Sequence, residues 1–185
     1  MKNASLYTCL IAGALLTLAG CATAPDTEAK KNELHTSVNN AMTHIKALDP
    51  SLQTQIAKAY GYAIFPSVGK GGLGLGGAHG KGRVYERGKL VGRSSLIQLT
   101  LGLQLGGQAY SEVVFFKTKA AFADFKRGKL KLDAQATAVA LDARAAADLA
   151  YRDGVAIVTI AKGGLMYEAS IGGQKFSFHP LEEVE

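Results

Sequence analysis

The stretch GYAIFPSVGKGGLGLGGAHGKGR, residues 61–83, decides how this chain folds. It opens as a strand, because Tyr62, Ala63, Ile64 and Phe65 form a β-prone apolar run, with Pro66 at its end, where a missing N–H costs least. Glycine then takes over. Seven of the residues from Gly71 to Gly82 are glycine, and Gly72, Leu73, Gly74, Leu75, Gly76 alternate a side chain with none, the pattern of a strand with one face stripped for close approach. Glycine in a strand costs conformational entropy, so this density implies a structural demand.

A second copy of the pattern lies downstream. GYAIFPSVGKGGL at 61–73 aligns with GVAIVTIAKGGL at 154–165, with one extra residue in the first copy, and each continues toward a Gly-Gly pair, Gly76-Gly77 and Gly172-Gly173. Each reads as an apolar strand, a turn carrying Lys-Gly-Gly and a return strand, with a partial echo in LGLQLGGQAYSEVVFF at 101–116. A spacing near 93 residues is too long for a solenoid, so the expectation is related hairpins inside one domain, each with a lysine at its turn.

Four segments taken in order, GYAIFPSVGKGGLGLGGAHGKGRVY, LQLGGQAYSEVVFFKT, AFADFKRGKLKLDAQATAVAL and KGGLMYEASIGGQKFSF, resemble the SYLF domain. The match runs from about Ala57 to Pro180. The resemblance implies a phospholipid-binding domain, found in lipid- and actin-associated eukaryotic proteins and in bacterial lipoproteins. Phosphoinositide preference belongs to its eukaryotic members and actin binding to its yeast branch.

The N-terminus reads as an export signal. Lys2 precedes an apolar run, Leu6 to Leu18, that is short for a membrane span and ends in small residues. Leu18-Ala19-Gly20-Cys21 resembles the bacterial lipobox, which implies a diacylglycerol and an acyl chain on Cys21 as the first mature residue. Ala22, in place of Asp, follows; by resemblance to sorted lipoproteins this favours the outer membrane, facing the periplasm. Of two cysteines, Cys9 leaves with the signal and Cys21 is acylated, so the mature chain has no pair to cross-link and rests on its core. The expected organisation is a signal peptide over 1–20, an acylated tether over 21–32, a lipid-binding domain over 33–180 and an acidic tail over 181–185.

Within the domain, Leu34, Val38, Met42 and Ile45 share one side of a helix that ends before Asp49-Pro50. Asp49 can cap a second helix with Pro50 at its first position and Leu52, Ile56 and Tyr60 along one stripe. Arg83 to Val91 reads as strand, turn at Gly88 and strand, and Ser94 to Phe116 as one or two strands. Thr118 caps a short helix, Lys119 to Arg127, that turns Phe122 and Phe125 to the core and stops at Gly128. From Leu130 to Ala140 the alanines favour helix, yet Leu130, Leu132, Ala134, Ala136, Ala138 and Ala140 occupy alternate positions, and the period decides for a strand. Residues 141–150 read as helix or loop. The fold class is α+β: N-terminal helices packed on a strongly bent, glycine-rich antiparallel sheet, closed or nearly closed as a small barrel.

Several chemistries find no residues to carry them. Gly72, Gly74 and Gly77 satisfy G-x-G-x-x-G, but a β-like stretch follows where a phosphate-binding helix is needed, and Gly82 stands where a Walker loop needs Ser or Thr. Ser67 lies in no nucleophile elbow, no ligand set has metal spacing, and Glu112 and Glu168 read as solvent-facing or ion-paired strand positions. His35 and His44 read as surface histidines. The chain is therefore expected to have no catalytic residues, cofactor or metal.

Charge is what remains. Residues 70–131 hold twelve Lys and Arg against three acids, while the rest of the mature chain holds eight against twelve. A basic face of this kind is drawn to anionic lipid by about 1 kcal/mol for each Lys or Arg near the surface. Nucleic acid is a poor candidate for an exported chain whose aromatics lie on apolar strand positions. The expected headgroup ligands are Lys70, Lys81, Arg83, Lys126, Arg127, Lys129 and Lys162, acting with the acyl chains on Cys21 at a membrane surface. The competing class is a structural envelope lipoprotein that binds a protein partner through exposed strands.

Overall fold

The computed structural model describes residues 27–73, 75–101, 107–132, 139–140, 149, 151–162 and 171–181. Three helices, α1 (Glu28–Leu48), α2 (Ser51–Lys58) and α3 (Lys119–Lys126), accompany one open sheet among these residues. Its six longer strands are β1 (Gly61–Leu73), β2 (Leu75–Glu86), β3 (Lys89–Leu101), β4 (Gly107–Phe116), β7 (Val155–Ala161) and β8 (Ile171–Pro180), all antiparallel. Two-residue strands, β5 (Lys131–Leu132) and β6 (Val139–Ala140), form the edges in the order β5-β8-β3-β2-β1-β4-β7-β6.

The glycine-rich stretch is the centre of this sheet, with β1 and β2 as its middle hairpin. β1 does not end at Pro66. It continues to Leu73 through an irregularity in its register with both neighbours, so a proline lacking an N–H is accommodated in a central strand by a bulge. Ser111 Oγ donates to the Pro66 carbonyl at 2.8 Å. Because of the bulge, Phe65 and Val68, three residues apart, both join the inner core.

The sheet curls tightly. β8 and β4 are separated by three strands, and a flat sheet would hold them roughly 19 Å apart. Yet Gln174 Nε2 on β8 donates to Glu112 Oε2 on β4 at 2.9 Å, and the Phe65 and Phe176 rings, on β1 and β8, have centroids 5.7 Å apart. Glycine permits this by giving aromatic rings bare backbone to lie on. An added Cβ at Gly82 would stand 2.5 Å from the Ile64 carbonyl and 2.7 Å from the Phe65 ring. At Gly61 it would stand 2.7 Å from the Phe122 ring, and at Gly92 2.5 Å from that of Phe178.

The curl divides the core in two. Inside, Phe65, Val68, Leu96, Val114, Phe116 and Phe176 meet α3, whose Phe122 and Phe125 enter the aromatic cluster. Outside, Tyr62, Ile64, Val113, Phe115, Val158 and Ile160 are covered by Val38 and Ile45 of α1 and Leu52 of α2. The caps fall where the sequence puts them: the Asp49 carboxylate accepts from the Ser51 N–H at 2.8 Å, Thr118 Oγ1 accepts from Ala121 N at 3.2 Å, and Gly128 leaves α3 with φ +66°.

Three expectations are corrected. β7 and β8 do not pair as a second hairpin; β7 lies beside β4 and β8 beside β3, because β1 and β2 already occupy the centre. Lys70 is not at a turn but within β1, opposite Gln108 and Ala78. α1 begins at Glu28, inside the stretch read as tether, where Glu28 and Lys31 form an ion pair one turn apart at 2.6 Å. The alternation over 130–140 is met by β5 and β6 at its two ends, with residues 133–138 outside the described residues, as are the signal, Cys21 and the acidic residues of the tail.

Gly82→Ala should lower the unfolding free energy by roughly 1–3 kcal/mol, the usual cost of forcing an extra carbon into a packed site. Gly69→Ala, where an added Cβ meets nothing within 4 Å, should change it by no more than about 0.5 kcal/mol. Denaturant unfolding of both variants checks this, and equal losses would contradict it.

Candidate functional site

The outer face of the sheet and α1 enclose a cleft of about 920 Å³, within the range of small-molecule sites. α1 supplies Lys30, Lys31, Glu33, Leu34, Ser37 and His44; the sheet supplies Ser67, Lys81, Arg93, Ser95, Ser111, Ile160, Lys162 and His179. Among the described lining residues are five Lys and Arg and one carboxylate, Glu33, with Lys31 also paired to Glu28 beside the cleft. Leu34, Ala41, Pro66 and Ile160 give the cleft an apolar component, and serine hydroxyls lie between. Lysine and arginine around an apolar floor suit a ligand with an anionic and a hydrocarbon part.

Register explains why these groups meet. On the outer face, Ser67, Lys81, Ser95 and Ser177 are successive cross-strand partners on β1, β2, β3 and β8, and Arg83, Arg93 and His179 form the next row. Arg83 fastens α1 over this surface: Nη1 donates to His35 Nδ1 at 2.7 Å and Nη2 to the Lys31 carbonyl at 3.1 Å. Lys162 follows β7 directly, its N–H donating to the Ala109 carbonyl at 3.0 Å.

Of the cations that the sequence singled out, Lys81 and Lys162 line the cleft and Arg83 holds its roof. The others lie elsewhere. Lys126 sits 3.5 Å from Glu86 and over the Phe122 ring, Arg127 pairs with Asp124 at 2.7 Å, and Lys129 follows α3 at an exposed position. Lys70 points inward and is 7% exposed, and its burial lowers its affinity for a proton. Sequence reasoning missed Lys30, Lys31, Arg93, His44 and His179 as cleft residues. Two of those, Lys30 and Lys31, lie in the stretch read as tether.

Residues 97–181 match the family described as Ysc84, Las17-binding protein actin regulator, the SYLF domain. A bacterial relative, "Beta cell expansion factor A" of Aeromonas veronii, is 30% identical over 146 residues, which is 77% of this chain and 55% of that protein. The chain belongs to the SYLF-domain family. It spans little more than half the length of this curated relative. The matched part of the SYLF domain contains Ser111, Ile160, Lys162 and His179 of the cleft, whereas Lys30, Lys31, Lys81 and Arg93 precede it.

A second polar constellation lies inside the curl of this SYLF domain. Glu112, expected to face solvent or an ion-pairing partner, is fully buried instead and accepts from Gln174 across the interior. Phe65 and Thr159 are its cross-strand neighbours. Tyr110, also buried, donates to Gln98 Oε1 at 3.0 Å, again bridging strands that are not adjacent. Glu112 Oε1 and Gln174 Oε1 have no hydrogen-bond partner among the described residues. Burial, opposed by the Gln174 bond, pushes the Glu112 carboxyl up to about 7. The signal that could have found this position is its place within SEVVFF, in register with Phe65 on the inner face.

The folded state therefore holds the Glu112 proton more tightly than the unfolded chain, whose carboxyl titrates near 4.5. Stability is highest below that value and is lost as pH rises through about 7. Glu112→Gln removes this loss, since an amide can donate to Gln174 Oε1 while accepting from Nε2. The variant should exceed the parent above pH 7 by up to roughly 3 kcal/mol, with a gap that closes toward pH 4. Unfolding curves across this range test it, and a gap independent of pH would contradict it.

Proposed function

We propose that this SYLF-domain chain is a non-catalytic phospholipid-binding lipoprotein of the bacterial envelope. Acyl groups on Cys21 anchor it in the outer membrane, facing the periplasm, and the cleft beneath α1 receives anionic, phosphoinositide-like headgroups. The observation that carries the reading is the excess of Lys30, Lys31, Lys81, Arg93 and Lys162 over Glu33 around an apolar floor. The family adds a link to lipid and actin binding in general. Actin binding itself comes to this chain only by analogy.

The several acyl chains on Cys21 give a stable membrane address, and the basic cleft adds selection of anionic headgroups. The mature, unacylated protein should float with vesicles containing phosphatidylglycerol but not with neutral ones, and salt should weaken the association. Lys81→Glu with Arg93→Glu should reduce binding roughly ten-fold or more, at about 1 kcal/mol for each lost cation plus the added repulsion. Lys126→Glu with Lys129→Glu, away from the cleft, should reduce it less. No flotation in low salt would overturn the reading and favour a protein partner at the exposed strands.

Anchoring has its own test. Cys21→Ser should abolish incorporation of labelled palmitate and move the protein from the membrane fraction to the periplasm. An unlabelled parent protein would remove the lipoprotein part of the proposal and leave the cleft untouched.

A further inference from the structure

The cleft does not end the outer face of β3. Arg93 and Ser95, which line it, are followed on the same face by Ile97 and Leu99, which are 55% and 68% exposed. Two large aliphatics side by side in one strand row form an apolar patch, unlike isolated exposed residues.

Their neighbours make them stand out. Ile97 lies between His79 on β2 and Lys175 on β8, and Leu99 lies between Gly77 and Gly173. Gly69 is the neighbour of His79 on β1. Packing does not require glycine at Gly69, where an added Cβ meets nothing within 4 Å, or at Gly77, whose nearest atom would be 3.6 Å away. The ring-seating sites are sterically filled; these are open. Gly77 and Gly173 leave Leu99 clear of its neighbours on both strands, and Ile97 continues the row between His79 and Lys175.

Charge identifies what the patch faces. The described outer-face positions of β2, β3 and β8 beside and below this patch carry Lys81, Arg93 and Lys175 and no Asp or Glu, while Arg83 is engaged with α1. A second copy of the chain placed face to face would bring these cations together, whereas a bilayer of anionic lipid would neutralise them. Lysines at the edge of an apolar patch can keep their ammonium groups at headgroup level while the stems lie against hydrocarbon.

We infer that the outer face of β2, β3 and β8 is a bilayer-docking surface, with Ile97 and Leu99 entering the acyl region of an anionic membrane beside the headgroup cleft. This rests on the lipid reading of the cleft and extends it from one bound headgroup to an oriented contact with the membrane. The patch on the outer surface of the curled sheet rests on the bilayer, and the cleft opens at its margin, where a lipid can enter without leaving the leaflet.

The chain contains no tryptophan, so single tryptophans report their own surroundings. Leu99→Trp in the mature, unacylated protein is mixed with phosphatidylcholine–phosphatidylglycerol vesicles whose acyl chains carry bromine. Leu48→Trp, at the end of α1 and 45% exposed, is the control. The expected result is a blue shift and strong quenching for Leu99→Trp and neither for Leu48→Trp. Ile97→Ser with Leu99→Ser should also lower vesicle binding roughly ten-fold, from the loss of buried apolar area, while glycerol phosphate still perturbs the cleft resonances. Vesicle binding with an unquenched Leu99→Trp would overturn the docking face and leave the cleft reading standing. Absence of vesicle binding by the parent would overturn both. A blue shift that grows with protein concentration without lipid would assign the patch to a second copy of the chain.

Discussion

A phenylalanine ring lying where a Cβ would otherwise stand is the contact from which this sheet takes its shape. Phe65 over Gly82, Phe122 against Gly61 and Phe178 against Gly92 bring ring and backbone closer than any other residue type would permit. Strands that a flat sheet would separate then meet across an interior, as Gln174 and Glu112 do. The curl gives the sheet one enclosed face, filled by aromatics and closed by α3, and one open face, part of it covered by α1 and α2. Without that division the cations of β2 and β3 would have no common side.

Two kinds of glycine follow from this. At Gly61, Gly80, Gly82 and Gly92 the missing side chain is a steric necessity, because a neighbouring side chain or carbonyl already fills the space. At Gly69 an added Cβ would meet nothing within 4 Å and at Gly77 only an ordinary contact at 3.6 Å, so there the missing side chain shapes a surface. Composition cannot separate these two uses, since both read as a strand stripped on one face. Only the neighbour across the strand, Phe65 in one case and an exposed Leu99 in another, tells them apart.

Local signals were therefore legible in the sequence and distant ones were not. Asp49 and Thr118 as caps, Gly128 as a stop and the tight turn at Arg87-Gly88 depend on adjacent residues and stand as read. The repeat at 154–165 was real as a strand but misleading as a hairpin, because which strands pair depends on what already occupies the centre. Pro66 looked like a strand end, since a bulge leaves no mark in composition. The basic segment was visible as a sum. Its arrangement was not: Lys81 and Lys162 converge through register, Lys126 and Arg127 meet carboxylates on and beside α3, and Lys70 turns inward. Glu112 was misread for the same reason, as its partner lies 62 residues away on a strand four positions across the sheet.

The proposed lipid site depends on register along β2 and β3 rather than on total charge. Short-chain phosphatidylglycerol, kept below its micelle concentration, can be titrated into isotopically labelled protein while the backbone amide resonances are followed. Saturable shifts should cluster at Lys31, Lys81, Arg93, Ser95 and Lys162, with the amides of Lys126 to Lys129 unmoved. Shifts that centre on the end of α3, or that spread over every lysine in proportion to its exposure, would contradict it.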